Sequence, residues 1–117
     1  MGLVMANIAL RHPVGDVRHL IEHALSRLGH VIVDDELDTR IDVLVLEPAS
    51  APDLEAARLL RDTQPDLPMV CVSISPPFPE VLELEPEAYL VKPFTVAGLR
   101  STVERALASE RRGLQPC

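Results

Sequence analysis

With 117 residues, 47% of them hydrophobic and 25% charged, the chain has the length of one domain and enough apolar material to bury a core without disulfides. The net charge of -7 argues against direct nucleic-acid binding, because neutralising phosphates needs a clustered basic face and the only basic doublet is Arg111-Arg112. No apolar run approaches the length of a membrane span, and the N-terminus lacks the charged-then-apolar layout of a secretory signal, so the expected location is cytoplasmic.

Ile8-Ala9-Leu10 is a short apolar run, read as a buried first strand, and Arg11, His12 and Pro13 end it. Asp16 is placed to cap a helix in which Val17, Leu20, Ile21, Ala24, Leu25 and Leu28 keep to one stripe, and Gly29 closes it. Val31-Ile32-Val33 reads as a second strand. Asp34 to Asp42 is polar and acidic, with Leu37 and Ile41 as its anchors, and is expected to be a loop or a single helical turn. Val43-Leu44-Val45-Leu46 is apolar throughout, as a strand covered on both faces must be, and it delivers Glu47 and Pro48 at its end.

A helix over roughly Asp53–Thr63 follows, with Leu54, Ala57 and Leu60 facing in. Met69-Val70-Cys71-Val72 is a fourth strand ending at Ser73. Cys71 reads as a small buried hydrophobe and Cys117 as an exposed terminal thiol, so neither a disulfide nor a metal site is expected. Pro76, Pro77, Pro79 and Pro86 limit any helix before Ala88 to about two turns, near Glu80–Glu85.

The stretch Ala88-Tyr-Leu-Val-Lys-Pro-Phe94 organises the rest. Apolar residues bring a strand to Lys92, and Pro93 has no N–H with which to continue a sheet ladder. Thr95 is a candidate N-cap for a last helix carrying Leu99, Val103, Ala106 and Leu107 on one face. Alternating strands and helices imply βαβ units and a parallel sheet. His12, Glu47, Ser73 and Lys92 then converge on the carboxyl edge, where open α/β sheets bind ligands.

The chain here resembles the receiver domains of bacterial response regulators. The resemblance is carried by Tyr-Leu-Val-Lys-Pro-Phe (89–94), Ile-Asp-Val-Leu-Val-Leu-Glu (41–47), Leu-Pro-Met-Val-Cys-Val-Ser (67–73) and the helix from Arg18 to Gly29. It implies a flavodoxin-like five-stranded sheet in the order 2-1-3-4-5 over residues 1–109, with 110–117 as a C-terminal tail. It also implies a phosphoryl-accepting aspartate after the third strand, an acidic pair holding Mg²⁺ after the first, a hydroxyl after the fourth, an aromatic switch and a lysine. Ser73, Tyr89 and Lys92, with Pro93 after it, match that pattern. The acid pair falls on His12 and Pro13, and the acceptor position on Glu47; Asp16, Asp34 and Asp35 do not fall on matching positions.

Mg²⁺ asks for oxygen ligands in near-octahedral geometry, which a histidine and a proline do not supply, and phosphoryl transfer relies on that metal. Glu47 is one methylene too long, and ~1 Å of misplacement can cost ~100-fold in rate. The expectation is therefore an atypical receiver, not an enzyme, without cofactor or metal, and acting by protein–protein contact. Its partner is a second copy or another signalling protein, docked on the family's fourth helix, fifth strand and fifth helix, where Tyr89, Arg100, Glu104 and Arg105 fall. Between Gly29 and Glu47, and again before Tyr89, the chain is short, so the family's second and fourth helices are expected to be trimmed. Two alternatives stay open: a phosphoacceptor using Glu47, His12 or Ser73, and a small-anion or ligand sensor using Arg11, His12 and Lys92. Glu47 reads either as a stand-in for a phosphorylated acid or as half of a structural pair with Lys92, and Ser73 either gates Tyr89 or caps a turn.

Overall fold

The computed structural model describes residues 6–33 and 40–108. Asp34, Asp35, most of the acidic 34–42 segment, Arg111-Arg112, Cys117 and the tail 110–117 lie outside the described residues. The strands are β1 (Asn7–Arg11), β2 (Val31–Val33), β3 (Val43–Leu46), β4 (Met69–Ser73) and β5 (Ala88–Val91). The helices are α1 (Gly15–Arg27), α2 (Ala51–Thr63), α3 (Pro79–Leu82) and α4 (Val96–Ala108). The strands form one parallel sheet in the order β2-β1-β3-β4-β5, as the sequence reading expects.

The apolar runs explain the layering. All of Val43–Leu46 is buried, and successive residues point to opposite faces. Val43 and Val45 join Val70, Val72, Ile21, Leu25, Leu99 and Val103 on one side of the sheet, under α1 and α4. Leu44 and Leu46 join Met69, Cys71, Ala57, Leu60 and Val81 on the other, under α2 and α3. Each fully buried aliphatic side chain contributes about 1.5–3 kcal/mol, so two such layers hold the sheet between its helices.

Local signals decide the ends. Gly29 takes a positive φ of 97°, the left-handed conformation that lets the chain leave α1. Thr95 Oγ1 accepts the Gly98 N–H at 2.9 Å and caps α4. Two sequence expectations need correction. Asp16 is inside the first turn of α1 and makes no cap; Val14 holds the N-cap position with no side-chain bond, and Asp16 acts only as a charge near the positive end of the helix. Leu20 is 64% exposed, because Ile21, Ala24 and Leu25 already fill the stripe that meets the sheet.

The segment expected to carry a trimmed second helix falls mostly on residues 34–39, outside the described residues. No helix occurs among the described residues between β2 and β3. Before β5 the prolines leave α3 at 4 residues, shorter than the two turns allowed from sequence, and Glu85 at φ 52° turns the chain toward the strand. No helix among the described residues is long and apolar enough to cross a membrane.

Candidate functional site

The register places Arg11 opposite Leu46 and Ser73 opposite Val91, so the residues just beyond each strand share one edge. His12 follows β1, Glu47 follows β3 and Lys92 follows β5. Ser73 ends β4. Although up to 80 positions apart in sequence, the first three of these side chains meet.

Lys92 Nζ lies 3.5 Å from Glu47 Oε1 and 2.6 Å from His12 Nε2. His12 Nε2 is in turn 4.0 Å from Glu47 Oε1. Glu47 Oε2 accepts the Ala49 N–H at 2.9 Å, which fixes the carboxylate against its own loop. The salt-bridge reach between Lys92 and Glu47 expected from sequence is thus met. Pro13, by contrast, is exposed.

His12 is buried, and burial is the main reason its pKa lies below 6.5. Lys92 lowers it further, while Glu47 and Asp53 work in the opposite direction. His12 is therefore largely neutral at neutral pH, which leaves Arg11 and Lys92 as the cations of the anion-sensing alternative. Arg11 is committed elsewhere: its Nε donates to Asp53 Oδ1 at 3.1 Å.

Asp53 is the site residue that sequence reasoning missed. Read only as the start of a helix, it lies in the first turn of α2, which begins two residues earlier at Ala51. It is 6% exposed, and its Oδ2 is buried without a hydrogen-bond partner. The available signal was an acid directly after Pro52 in a first helical turn, a position from which a carboxylate can reach back toward the strand ends.

Ser73 and Tyr89 lie close together at the end of β4, and both bond the Ser75 backbone. Ser73 is fully buried and its Oγ accepts the Ser75 N–H at 3.1 Å, the turn-capping role left open by the sequence. Tyr89 Oη donates to the Ser75 carbonyl at 2.7 Å, and its ring packs with Leu54 and Phe78 against the α2 layer. Burial raises the phenol pKa, and the nearby Ser73 hydroxyl partly offsets this. Below them Cys71 is fully buried, and desolvation pushes its thiol up to about 12, which makes it a core residue without nucleophilic character. The Lys92–Pro93 peptide is cis, and Pro93 itself is exposed.

The donor set does not fit the Mg²⁺ of the receiver pattern. At the two acid positions stand an imidazole in contact with an ammonium and a proline with no side-chain donor. The two carboxylates present, Glu47 and Asp53, each already face a cation. No group of 3 metal-ligating side chains occurs among the described residues.

No protein-family model matches this chain, and no curated protein matches it. Solved structures do. The chain is 21% identical to NtrX from Brucella abortus, solved in complex with ADP, over 93% of its own length at a TM-score of 0.79, and it spans 28% of that longer protein. It is 19% identical to the chemotaxis response regulator CheY4 of Vibrio cholerae, covering 89% of this chain and 100% of that one at a TM-score of 0.76. With the response regulator TrrA from Thermotoga maritima, solved with Mg²⁺-BeF, the figures are 21% identity, 88% and 100% coverage, and a TM-score of 0.73. The correspondence is one of architecture: this chain has the fold of response-regulator receiver domains.

Proposed function

We propose that this protein is an atypical receiver module in signal transduction, that it works by protein–protein contact without Mg²⁺ or phosphoryl transfer, and that it is not an enzyme. One observation carries the reading: Lys92 closes on Glu47 and His12 where the family pattern places metal and phosphate. A metal there would meet an ammonium and an imidazole, and Glu47, His12 and Ser73 are each under 8% exposed, which weighs against any of them taking a phosphoryl group from a small donor. Incubation with acetyl phosphate and Mg²⁺ followed by intact mass spectrometry is expected to give no phosphorylated species. A gain of one phosphate that disappears in Glu47→Gln would overturn the proposal.

The partner surface in this reading is the face of α3, β5 and α4. Leu82, Val91 and Val96 are exposed there at 59%, 48% and 56%, and α3 is too short to cover the edge strand. Arg100 and Glu104 pair with each other at 3.1 Å along α4, so the apolar residues and Arg105 offer more to a partner than that pair does. A second copy or another signalling protein is the expected occupant. Sedimentation at micromolar concentration tests the first: a concentration-dependent mass lost in Val91→Asp supports a homodimer, and a strict monomer removes it.

A further inference from the structure

The bonds asked of His12 cannot all be made at once. Lys92 Nζ approaches Nε2 at 2.6 Å, and the Val14 N–H approaches Nδ1 at 3.1 Å. Both are donors, and a neutral imidazole has a single acceptor nitrogen. The shorter, charge-assisted contact favours Nε2 as acceptor, which leaves the Nδ1 proton facing another N–H. One acceptor oxygen of Glu47 lies nearby: Oε1 is 3.5 Å from Lys92 and 4.0 Å from His12 Nε2, while Oε2 is held by Ala49. Once the imidazole is protonated, it and Lys92 therefore compete for this oxygen.

The competitors differ in where else they can go. The His12 side chain is only 1% exposed, so a protonated ring has to find its partner inside the site. The Lys92 side chain is 18% exposed, on a four-carbon stem at the rim of the sheet, and bulk solvent is an alternative partner for it.

We propose that His12 and Lys92 are alternative partners of Glu47, so that protonation of His12 transfers the carboxylate to the imidazolium and releases Lys92 from the strand edge into solvent. The docked state has Lys92 donating to Nε2 and Glu47. An imidazolium has no lone pair to offer, and an ammonium 2.6 Å from it would be a contact between two cations. The Nε2–H instead closes its 4.0 Å gap to Glu47. The proton comes from solvent, and no covalent bond changes.

The groups facing His12 are Lys92 at the end of β5, Glu47 at the end of β3 and Asp53 on α2, the last paired with Arg11 on β1. Burial and Lys92 oppose protonation and the two carboxylates favour it, so the exchange runs on acidification below 6.5. Val91 precedes Lys92 and Val96 opens α4, so release of the lysine acts at the margin of the proposed partner face. The exchange rests on the metal-free reading of the site.

NMR of the full chain between pH 8 and 5 tests it, following the His12 ring and the Lys92 ε-methylene. The Lys92 signals are expected to move with the His12 midpoint, Lys92→Met to raise that midpoint, and Glu47→Gln to lower it. His12→Gln should leave the Lys92 signals flat over the same range. Lys92 signals indifferent to the His12 titration, or a Lys92 response that persists in His12→Gln, would overturn the exchange. Either of these is read without Lys92→Met, should that variant fail to fold. A separate titration with Mg²⁺ at pH 8 distinguishes the two ideas: perturbation of the Glu47 and Ala49 amides would remove the metal-free reading, while the acid-side comparison in metal-free buffer still decides the exchange.

Discussion

The two edges of the sheet use charge in opposite ways. At the amino edge, charged and titratable side chains mainly meet backbone, although Asp42 also pairs with Arg40 at 3.2 Å. Arg61 donates to the Leu84, Pro65 and Leu67 carbonyls at 2.7–3.0 Å, Asp42 accepts the Asn7 N–H at 2.8 Å, and His30 Nδ1 accepts the Ala6 N–H at 3.2 Å. At the carboxyl edge, beside the backbone contacts of Glu47 and His12, they also meet one another: Lys92 with His12 and Glu47, and Arg11 with Asp53, whose second oxygen is left over. A side chain bound to backbone keeps its partner for as long as the fold persists, whereas one bound to another side chain can exchange it. The first arrangement stabilises; the second can respond.

Arg61→Leu gives the largest effect this contrast implies. It strands carbonyls of the buried Leu84 and Leu67, and bonds from a charged donor contribute ~1.5–3 kcal/mol each, with overlap between them. A loss of about 3 kcal/mol is expected in urea unfolding, with the midpoint lowered and the slope unchanged. A loss under about 0.5 kcal/mol would mean that the amino edge is not held this way, since surface substitutions stay within that range.

The two buried histidines sharpen the comparison, because each edge has one. Burial is the main cause that lowers both below 6.5, opposed at His30 by Glu104. The unfolded chain therefore binds more protons than the native state just below that value. Stability is fully present above about 6.5 and falls as pH drops through it toward the folded-state values. Urea unfolding at several pH values should show this decline, and His12→Gln and His30→Gln should each flatten it. Only the first should alter the environment of Lys92. An equal effect of both on Lys92 would erase the distinction between the edges.

Asp53→Asn should produce the smallest change. It removes a buried charge whose Oδ2 has no partner, at the cost of weakening the bond from Arg11, and the two effects are expected to cancel to within about 1 kcal/mol. Thermal unfolding measures it; a loss above about 3 kcal/mol would make Asp53–Arg11 a structural strut like Arg61.

What the sequence determined by itself was the architecture and the edge at which chemistry could collect. Runs such as Val43–Leu46 and Met69–Val72 read as doubly covered strands, Gly29 and the prolines marked where elements stop, and parallel topology put Glu47 and Lys92 on one side. Strand polarity fixes the edge on which a residue falls, so those statements needed no coordinates. The tertiary structure alone decided which partners the side chains take. Lys92 meets His12 from 80 positions away and Glu47 from 45, and Arg11 meets Asp53 from 42. Asp53 turns inward, Tyr89 bonds the Ser75 carbonyl, and Leu20 faces out. Each outcome depends on rotamers chosen against neighbours from distant segments and on which acceptor is left unclaimed once the backbone has made its own bonds. Local pattern holds no record of that competition, because it begins only when the strands have been brought side by side.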